Sequence, residues 1–253
     1  MIDLHCHLLP GVDDGSRSVA QSVAVLNKMA AAGVKAVCLT PHLLASQADG
    51  GVPPLHDAAY QKLTAATPSG IILARGVELM LDRPLGPHAA RDRRLTLGGS
   101  RYLLVEFTPL VSYPAASAAL QQVVSLGLIP VLAHPERYPT STPANVKRWK
   151  ELGAVMQVDA TTLFRPRTRG LRARALLEYG LADILAADNH GDERMLDLPF
   201  RLLSRQRGQE QAELLVKRNP AAILADGTVQ AVPPFIIRTS WLTQIRDLFD
   251  TNE

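Results

Sequence analysis

Short apolar runs alternate with longer amphipathic stretches along most of this chain. The strand-like runs are residues 1–5, 34–40, 71–78, 102–107, 129–133, 154–158 and 182–186. Between them lie helix-like stretches at 18–32, 115–126, 143–152 and 172–179. In 18–32 the apolar residues Val19, Val23, Leu26 and Ala30 follow the 3.6-residue period, and Gly33 supplies a C-terminal stop. Leu126-Gly127 and Leu152-Gly153 repeat that ending before the next strand. Strand, helix and strand in repetition predict an α/β fold of parallel strands joined by helical crossovers.

An open doubly wound sheet and a closed barrel both satisfy this pattern. No Gly-rich turn follows the first strand, and Gly98-Gly99 is an isolated pair, so a dinucleotide site has no support. Charged and histidine residues gather instead at the carboxyl ends of most strands, which favours a barrel with its site on that face. One domain over 1–253 is expected, with a loop at 45–54 and a C-terminal extension at 219–253, whose 241–249 segment could form contacts. Oligomeric state stays open.

Composition narrows the classes. The 253 residues are 47% hydrophobic and 20% charged, enough for a sizeable core. A formal net charge of +3 is too weak to imply nucleic acid without a basic stripe. Arginines cluster at Arg91, Arg93 and Arg94, and again at Arg165, Arg167, Arg169, Arg172 and Arg174; both groups read as solvated faces. Cys6 and Cys38 cannot make a disulfide framework and suit a reducing compartment. Val12 and Leu44 stand six residues after them, so the Cys-to-Arg loop of a cysteine-dependent phosphatase is missing, and both read as small buried hydrophobes. The start Met1-Ile2-Asp3-Leu4-His5 carries no basic leader, and no apolar run approaches about eighteen residues. A cytoplasmic protein without a membrane span is expected.

Five of the seven histidines fall beside carboxylates or at strand ends. His5 and His7 flank Cys6 and, two apart on a strand, point to one face about 7 Å apart. Asp14 follows in a turn. His42 ends the second strand, Glu78 the third and Glu106 the fourth; His134 follows the fifth, and Asp188 and His190 follow the seventh. Taken singly, such a residue is more often a cap or a satisfied core group than a ligand. Together, Asp14, Glu78, Glu106 and Asp188 have too few basic neighbours, and an unpaired buried carboxylate is costly. Divalent cations would pair with all four and use the imidazoles as well. His56 and His88 lack carboxylate company and read as surface histidines.

Imidazole and carboxylate donors suit zinc, manganese or iron(II) and disfavour calcium. Nine donors exceed the needs of one ion, so two or three ions sharing carboxylates follow, a layout suited to phosphoester hydrolysis by metal-delivered hydroxide. Other ions and donors would hold the phosphoryl oxygens as charge builds.

The segments His5-Cys6-His7, Leu9-Pro10-Gly11-Val12-Asp13-Asp14-Gly15, Thr40-Pro41-His42, Gly76-Val77-Glu78, His134-Pro135-Glu136-Arg137 and Asp188-Asn189-His190 now carry a family likeness. In that order they resemble the polymerase and histidinol phosphatase superfamily. Within it, the likeness is greatest to the bacterial capsule and exopolysaccharide tyrosine phosphatases. The resemblance implies a distorted (β/α)7 barrel with a metal site at the C-terminal ends of its strands. It also implies two or three divalent ions, manganese foremost with iron or zinc open, and a phosphotyrosine protein as substrate, namely a cognate bacterial tyrosine kinase. It places one ion on His5, His7, Glu78 and Asp188, a second on Glu78, Glu106 and His134, and a third on Asp14, His42 and His190. Arg137 would grip the substrate phosphate as a forked guanidinium, with His42 and His190 beside it in catalysis.

Three segments depart from the family pattern. Leu43 stands where many relatives have a second histidine, Asp159-Ala160-Thr161-Thr162 replaces Asn-Ala-Ser-Ser, and Ala187 precedes Asp188 in place of Ser. None removes a donor; all bear on substrate preference. A small-molecule phosphatase, acting for example on histidinol phosphate, would share the metal centre, and a non-catalytic scaffold would be expected to have lost donors.

Overall fold

The computed structural model describes residues 1–238. The first apolar run forms β1 (Ile2–Cys6), and helix α1 (Val19–Ala31) begins where the Ser18 side chain accepts the Gln21 N–H. That bond satisfies one of the amides a helix leaves unpaired at its start. The chain continues through β2 (Ala36–Leu39), β3 (His42–Leu44), α2 (Ala45–Ala48), α3 (Pro54–Ala65), β4 (Ile72–Arg75) and β5 (Glu78–Met80). Then come β6 (Tyr102–Glu106), α4 (Tyr113–Ser125), β7 (Ile129–Ala133), α5 (Pro143–Glu151), β8 (Val155–Asp159), α6 (Thr168–Glu178) and β9 (Ile184–Ala186). Ser112 and Thr142 cap α4 and α5 as Ser18 caps α1. After β9 follow α7 (Asp197–Arg205), α8 (Gln209–Glu213) and α9 (Asn219–Leu224).

All strand pairs are parallel, in one sheet ordered β1-β2-β4 and another ordered β3-β5-β6-β7-β8-β9. Two of the expected strands are therefore split. Residues 34–40 yield only β2, because Pro41 has no N–H for a ladder and restricts the residue before it. Residues 71–78 yield β4 and then the start of β5. The pairing crosses both kinks together, with the Gly76 N–H donating to Leu39 O at 2.9 Å and the Glu78 N–H to Pro41 O at 3.0 Å. The segments thus occupy seven strand positions: β1, β2/β3, β4/β5, β6, β7, β8 and β9. The last meets the first where the His7 N–H donates to Asn189 O at 2.7 Å and the Ala187 N–H to Asp3 Oδ1 at 3.2 Å. This is a distorted α/β barrel.

The largest apolar cluster fills the space between β5–β9 and the helices outside them; Trp149, fully buried, donates its indole N–H to Ser117 Oγ at 2.8 Å. A second cluster lies under α1 and α3. Several local expectations need correction. Residues 45–48 of the expected loop are helical, and Ala45, Ala48 and Val52 are buried. Within the expected C-terminal extension, residues 219–237 pack on the barrel: buried Asn219 donates to Asp183 O and Gln230 O and accepts from the Gln230 N–H, and Val232 and Ile237 are buried. Residues 241–249 lie outside the described residues.

His56 is buried too, with no hydrogen-bond partner for Nδ1 among the described residues, so it is not a surface histidine. Arg174 is likewise buried rather than solvated. Cys6 and Cys38 are buried free thiols, and burial pushes both up, Cys38 to about 12. Among the described residues no helix is long and apolar enough to cross a membrane.

Candidate metal centre

The kinked strands matter most for the site, because His42 and Glu78 do not end strands but open β3 and β5 just past the kinks. His42 is thereby paired in register with Glu78. His5 lies in β1 and Glu106 ends β6, while His7, His134, Asp188 and His190 occupy the turns that leave β1, β7 and β9. His134 and Asp188 both have positive φ, 34° and 50°, a sparsely populated backbone region for such residues. Gly15 passes so close to His7 that a Cβ there would overlap it, so this turn tolerates no side chain.

All nine donors named from the sequence fall into four overlapping groups whose ligand atoms lie within 4.8 Å of one another. These are His5, His7 and Asp188; His5, Glu78 and His134; His42, Glu78 and Glu106; and His7, Asp14, His42 and His190. Glu78 is central. Its Oε2 is 3.2 Å from His5 Nε2, 3.3 Å from His7 Nε2 and 3.1 Å from His42 Nδ1, and its Oε1 is 2.8 Å from His134 Nε2. The grouping is more interwoven than the family pattern implies, where Glu78 alone is shared: here His5, His7 and His42 also belong to two groups each. His42 reaches Glu106 at 3.2 Å through Nδ1 and Asp14 at 3.5 Å through Nε2, while His134 stands 3.8 Å from Glu106.

Four imidazoles are fixed from behind. His7 Nδ1 meets Asp13 Oδ2 at 2.8 Å, His5 Nδ1 meets Gln157 Oε1 at 2.9 Å and His190 Nδ1 meets Asp188 O at 3.0 Å. His134 Nδ1 lies 3.4 Å from the Tyr138 hydroxyl. Each bond occupies Nδ1 and leaves Nε2 facing the carboxylates, the arrangement by which an outer partner sets the tautomer of a metal-binding histidine. Asp13 also accepts the His42 and Gly15 N–H groups, so one carboxylate ties three parts of the site.

Electrostatics follow from this crowding. Burial alone would push the Glu78 carboxyl up, but the His5 charge and hydrogen bonds from His134 and His42 hold it well below the usual carboxylate range. Burial likewise opposes charge on His42, yet Glu106 and Glu78 raise it to about 10. Asp188, buried beside His5, His7 and Arg137, is held far below its ordinary value. Imidazoles and carboxylates so placed favour binding of borderline divalent ions, whose arrival would displace protons. The donors therefore fit manganese, iron or zinc.

Arg137, partly exposed at the mouth, pairs with Asp188 and lies 3.6 Å from Asp159. Arg194 reaches Asp188 at 3.4 Å. Glu136 points the other way, accepting from the Asp159 N–H and the Thr162 hydroxyl, and burial with Asp159 nearby pushes it up to about 8.

Asp13, Gln157, Tyr138 and Arg194 belong to this site and were not identified from the sequence. Gln157 did leave a signal, as the one polar residue inside an apolar central strand, Ala154-Val155-Met156-Gln157-Val158. Such a residue needs a partner.

Fold and site together define the class: a distorted α/β barrel carrying an imidazole–carboxylate cluster on one end of its strands. Residues 1–225 match the family model described as capsular polysaccharide synthesis, CpsB/CapC, and the chain belongs to that family. It is 28% identical over 241 residues to the tyrosine-protein phosphatase CpsB of Streptococcus pneumoniae, covering 89% of this chain and 99% of the relative. It is 28% identical over 244 residues to the tyrosine-protein phosphatase YwqE of Bacillus subtilis strain 168, covering 92% and 95%. Among solved structures, one from the work on YwqE of B. subtilis and CpsB of S. pneumoniae, described as unique metal-dependent tyrosine phosphatases, superposes with a TM-score of 0.78 at 24% identity. That match covers 94% of this chain and all of the other.

Proposed function

We propose that this chain is a metal-dependent protein-tyrosine phosphatase, one catalytic domain whose substrate is a phosphotyrosine protein of capsule or exopolysaccharide synthesis. A bacterial tyrosine kinase is the proposed partner and the cytoplasm the proposed compartment, to which two buried free thiols are suited. The observation that carries the reading is the fixing of four imidazoles through Nδ1 around Glu78 and Asp188. Side chains packed only for stability have no need of three outward-tied rings facing the Glu78 carboxylate and a fourth facing Asp14.

His5, His7, Glu78 and Asp188 would hold one ion, Glu78, Glu106 and His134 a second, and Asp14, His42 and His190 a third, with His7 and His42 shared between groups. Divalent ions there would supply Lewis acidity and a hydroxide nucleophile at neutral pH. Arg137 contributes its guanidinium fork, which can leave Asp188 for two phosphoryl oxygens. A tyrosine phenolate, of pKa about 10, departs far more easily than an alkoxide. The more open His42 and His190 flank exposed Asp14 at the rim, where they would help to orient the leaving group.

The test is phosphate release from a phosphotyrosine peptide, with histidinol phosphate alongside, after metal is stripped and manganese restored. Strong manganese-dependent release from the peptide is expected. Preference for histidinol phosphate would move the function to small-molecule metabolism, and no turnover of any phosphomonoester by fully metal-loaded protein would revive a scaffold role.

A further inference from the structure

Beside the metal centre lies a cavity of about 490 Å³ whose wall carries Arg165, Arg167 and Arg169 as well as Arg137 and Arg194, against the single carboxylate of Asp159. Arg137 and Arg194 both reach Asp188, so the cavity adjoins the donor cluster. Their charges are partly answered by Asp188, Asp159 and Asp192. Among the described residues, Arg165, Arg167 and Arg169 form no ion pair. Three uncompensated guanidiniums in one concavity make a local positive field that the chain's overall charge of +3 does not suggest.

The segment that bears them, the loop after β8 and the first turn of α6, is held firmly. Buried Arg174 donates to Leu163 O at 2.8 Å and Arg165 O at 2.9 Å. Gly170 packs so closely on Arg165 O that any Cβ would overlap it. The Thr162 hydroxyl donates to Glu136 at 3.2 Å, tying the loop to the segment that carries Arg137. A merely solvated face needs no buried cation to hold its carbonyls. A second cavity, sharing Thr161, Arg165 and Arg194, continues the surface past Phe164, Met195 and Leu198. The second recess also carries Asp192, Glu193 and Asp197, each ion-paired, with Arg194, Lys28 and Arg201 respectively, and a basic recess followed by a mixed one suits an extended polypeptide better than a small phosphate ester.

Building on the phosphatase reading above, we infer that this cavity is a subsite for a second anionic side chain of the substrate, a carboxylate or a phosphate near the phosphotyrosine in the same peptide. An extended peptide advances about 3.3 Å per residue. With the reach of an arginine side chain, the second anion falls roughly one to three residues away. The arginines would act as specificity residues, favouring acidic or multiply phosphorylated segments over neutral ones.

The test uses metal-loaded protein and three fluorescent peptides, each with a non-hydrolysable phosphonate in place of the phosphotyrosine phosphate. One peptide has neutral neighbours, one has glutamates on both sides, and one carries a second phosphonate two residues away. Anisotropy should show the glutamate peptide binding about tenfold tighter than the neutral one, with the advantage shrinking as salt rises. A gain by both anionic peptides assigns the subsite to any anion, and a gain by the second phosphonate alone assigns it to phosphate. In the triple variant Arg165→Gln, Arg167→Gln, Arg169→Gln the ratio should collapse towards one. A purely structural role would weaken all three peptides by the same factor and leave the ratio intact, which would overturn the assignment. Equal affinities in the unaltered protein would overturn the subsite and leave the phosphatase standing. No binding of any of the three would sink both.

Discussion

His5, His7, Glu78, His134 and Asp188 are at most 2% exposed, whereas the side chains of His42, His190 and Asp14 are 38%, 19% and 68% exposed. The inner five sit in or directly after strands β1, β5, β7 and β9, and their three imidazoles are tied by Asp13, Gln157 and Tyr138. At the rim, His42 starts a three-residue strand, and Asp14 lies in a turn with His42 and His190 at 3.5 and 3.4 Å from its carboxylate. The inner donors are therefore fixed before any ion arrives. Those at the rim depend more on the ion and the substrate to fix them. Rigid inner groups set where charge is stabilised, while the rim can adapt to what approaches.

The sharpest way to break this contrast is at its centre. Glu78→Ala should lose more than one ion by elemental analysis, since Glu78 Oε1 and Oε2 face different imidazoles. Turnover should fall by at least about 10³-fold. Full metal content in that variant would overturn the proposed bridge.

One layer further out, Asp13→Ala removes the partner of His7 Nδ1 without removing a donor. Metal affinity should drop about 10–100-fold, measured by competition with a chelator, and catalytic rate at saturating metal should largely recover. A variant with unchanged metal affinity would show that His7 needs no orienting partner. Arg137→Ala should spare the metals and raise KM for phosphotyrosine peptide by about tenfold or more. Unaltered kinetics would remove Arg137 from the site.

The inner donors were legible because each stands in a short contiguous motif in or beside an apolar strand-like run, where the two-residue period alone puts His5 and His7 on one face. What orients them was not legible, since His5 and Gln157 are 152 residues apart and no local pattern states that they touch. The kinks escaped for a related reason. Pro41 marks a break in hydrogen bonding, but only tertiary pairing decides whether the chain ends its strand there or bends and starts another. Arg174 shows the limit of charge patterning: its neighbours Arg165, Arg167 and Arg169 are exposed, while it lies buried on backbone carbonyls. Composition cannot tell a solvated guanidinium from a staple.

The smallest expected effect comes from His56, buried like the inner donors but outside their groups. Burial lowers its pKa from the ordinary 6.5, with Asp13 opposing and Arg75 assisting more weakly. Below about pH 6.5 the unfolded chain binds a proton here more readily than the folded one does. Stability from this group is therefore complete above that pH and is lost as pH falls through the window beneath it. His56→Leu removes the proton site while keeping an apolar occupant. Its melting temperature relative to the unaltered protein should rise as pH falls from 7.5 to 5.5, by on the order of 2 °C. The subtraction cancels the pH dependence of the metal donors, which both proteins share. Parallel melting curves across that range would mean that His56 takes up its proton in the fold as easily as in the open chain.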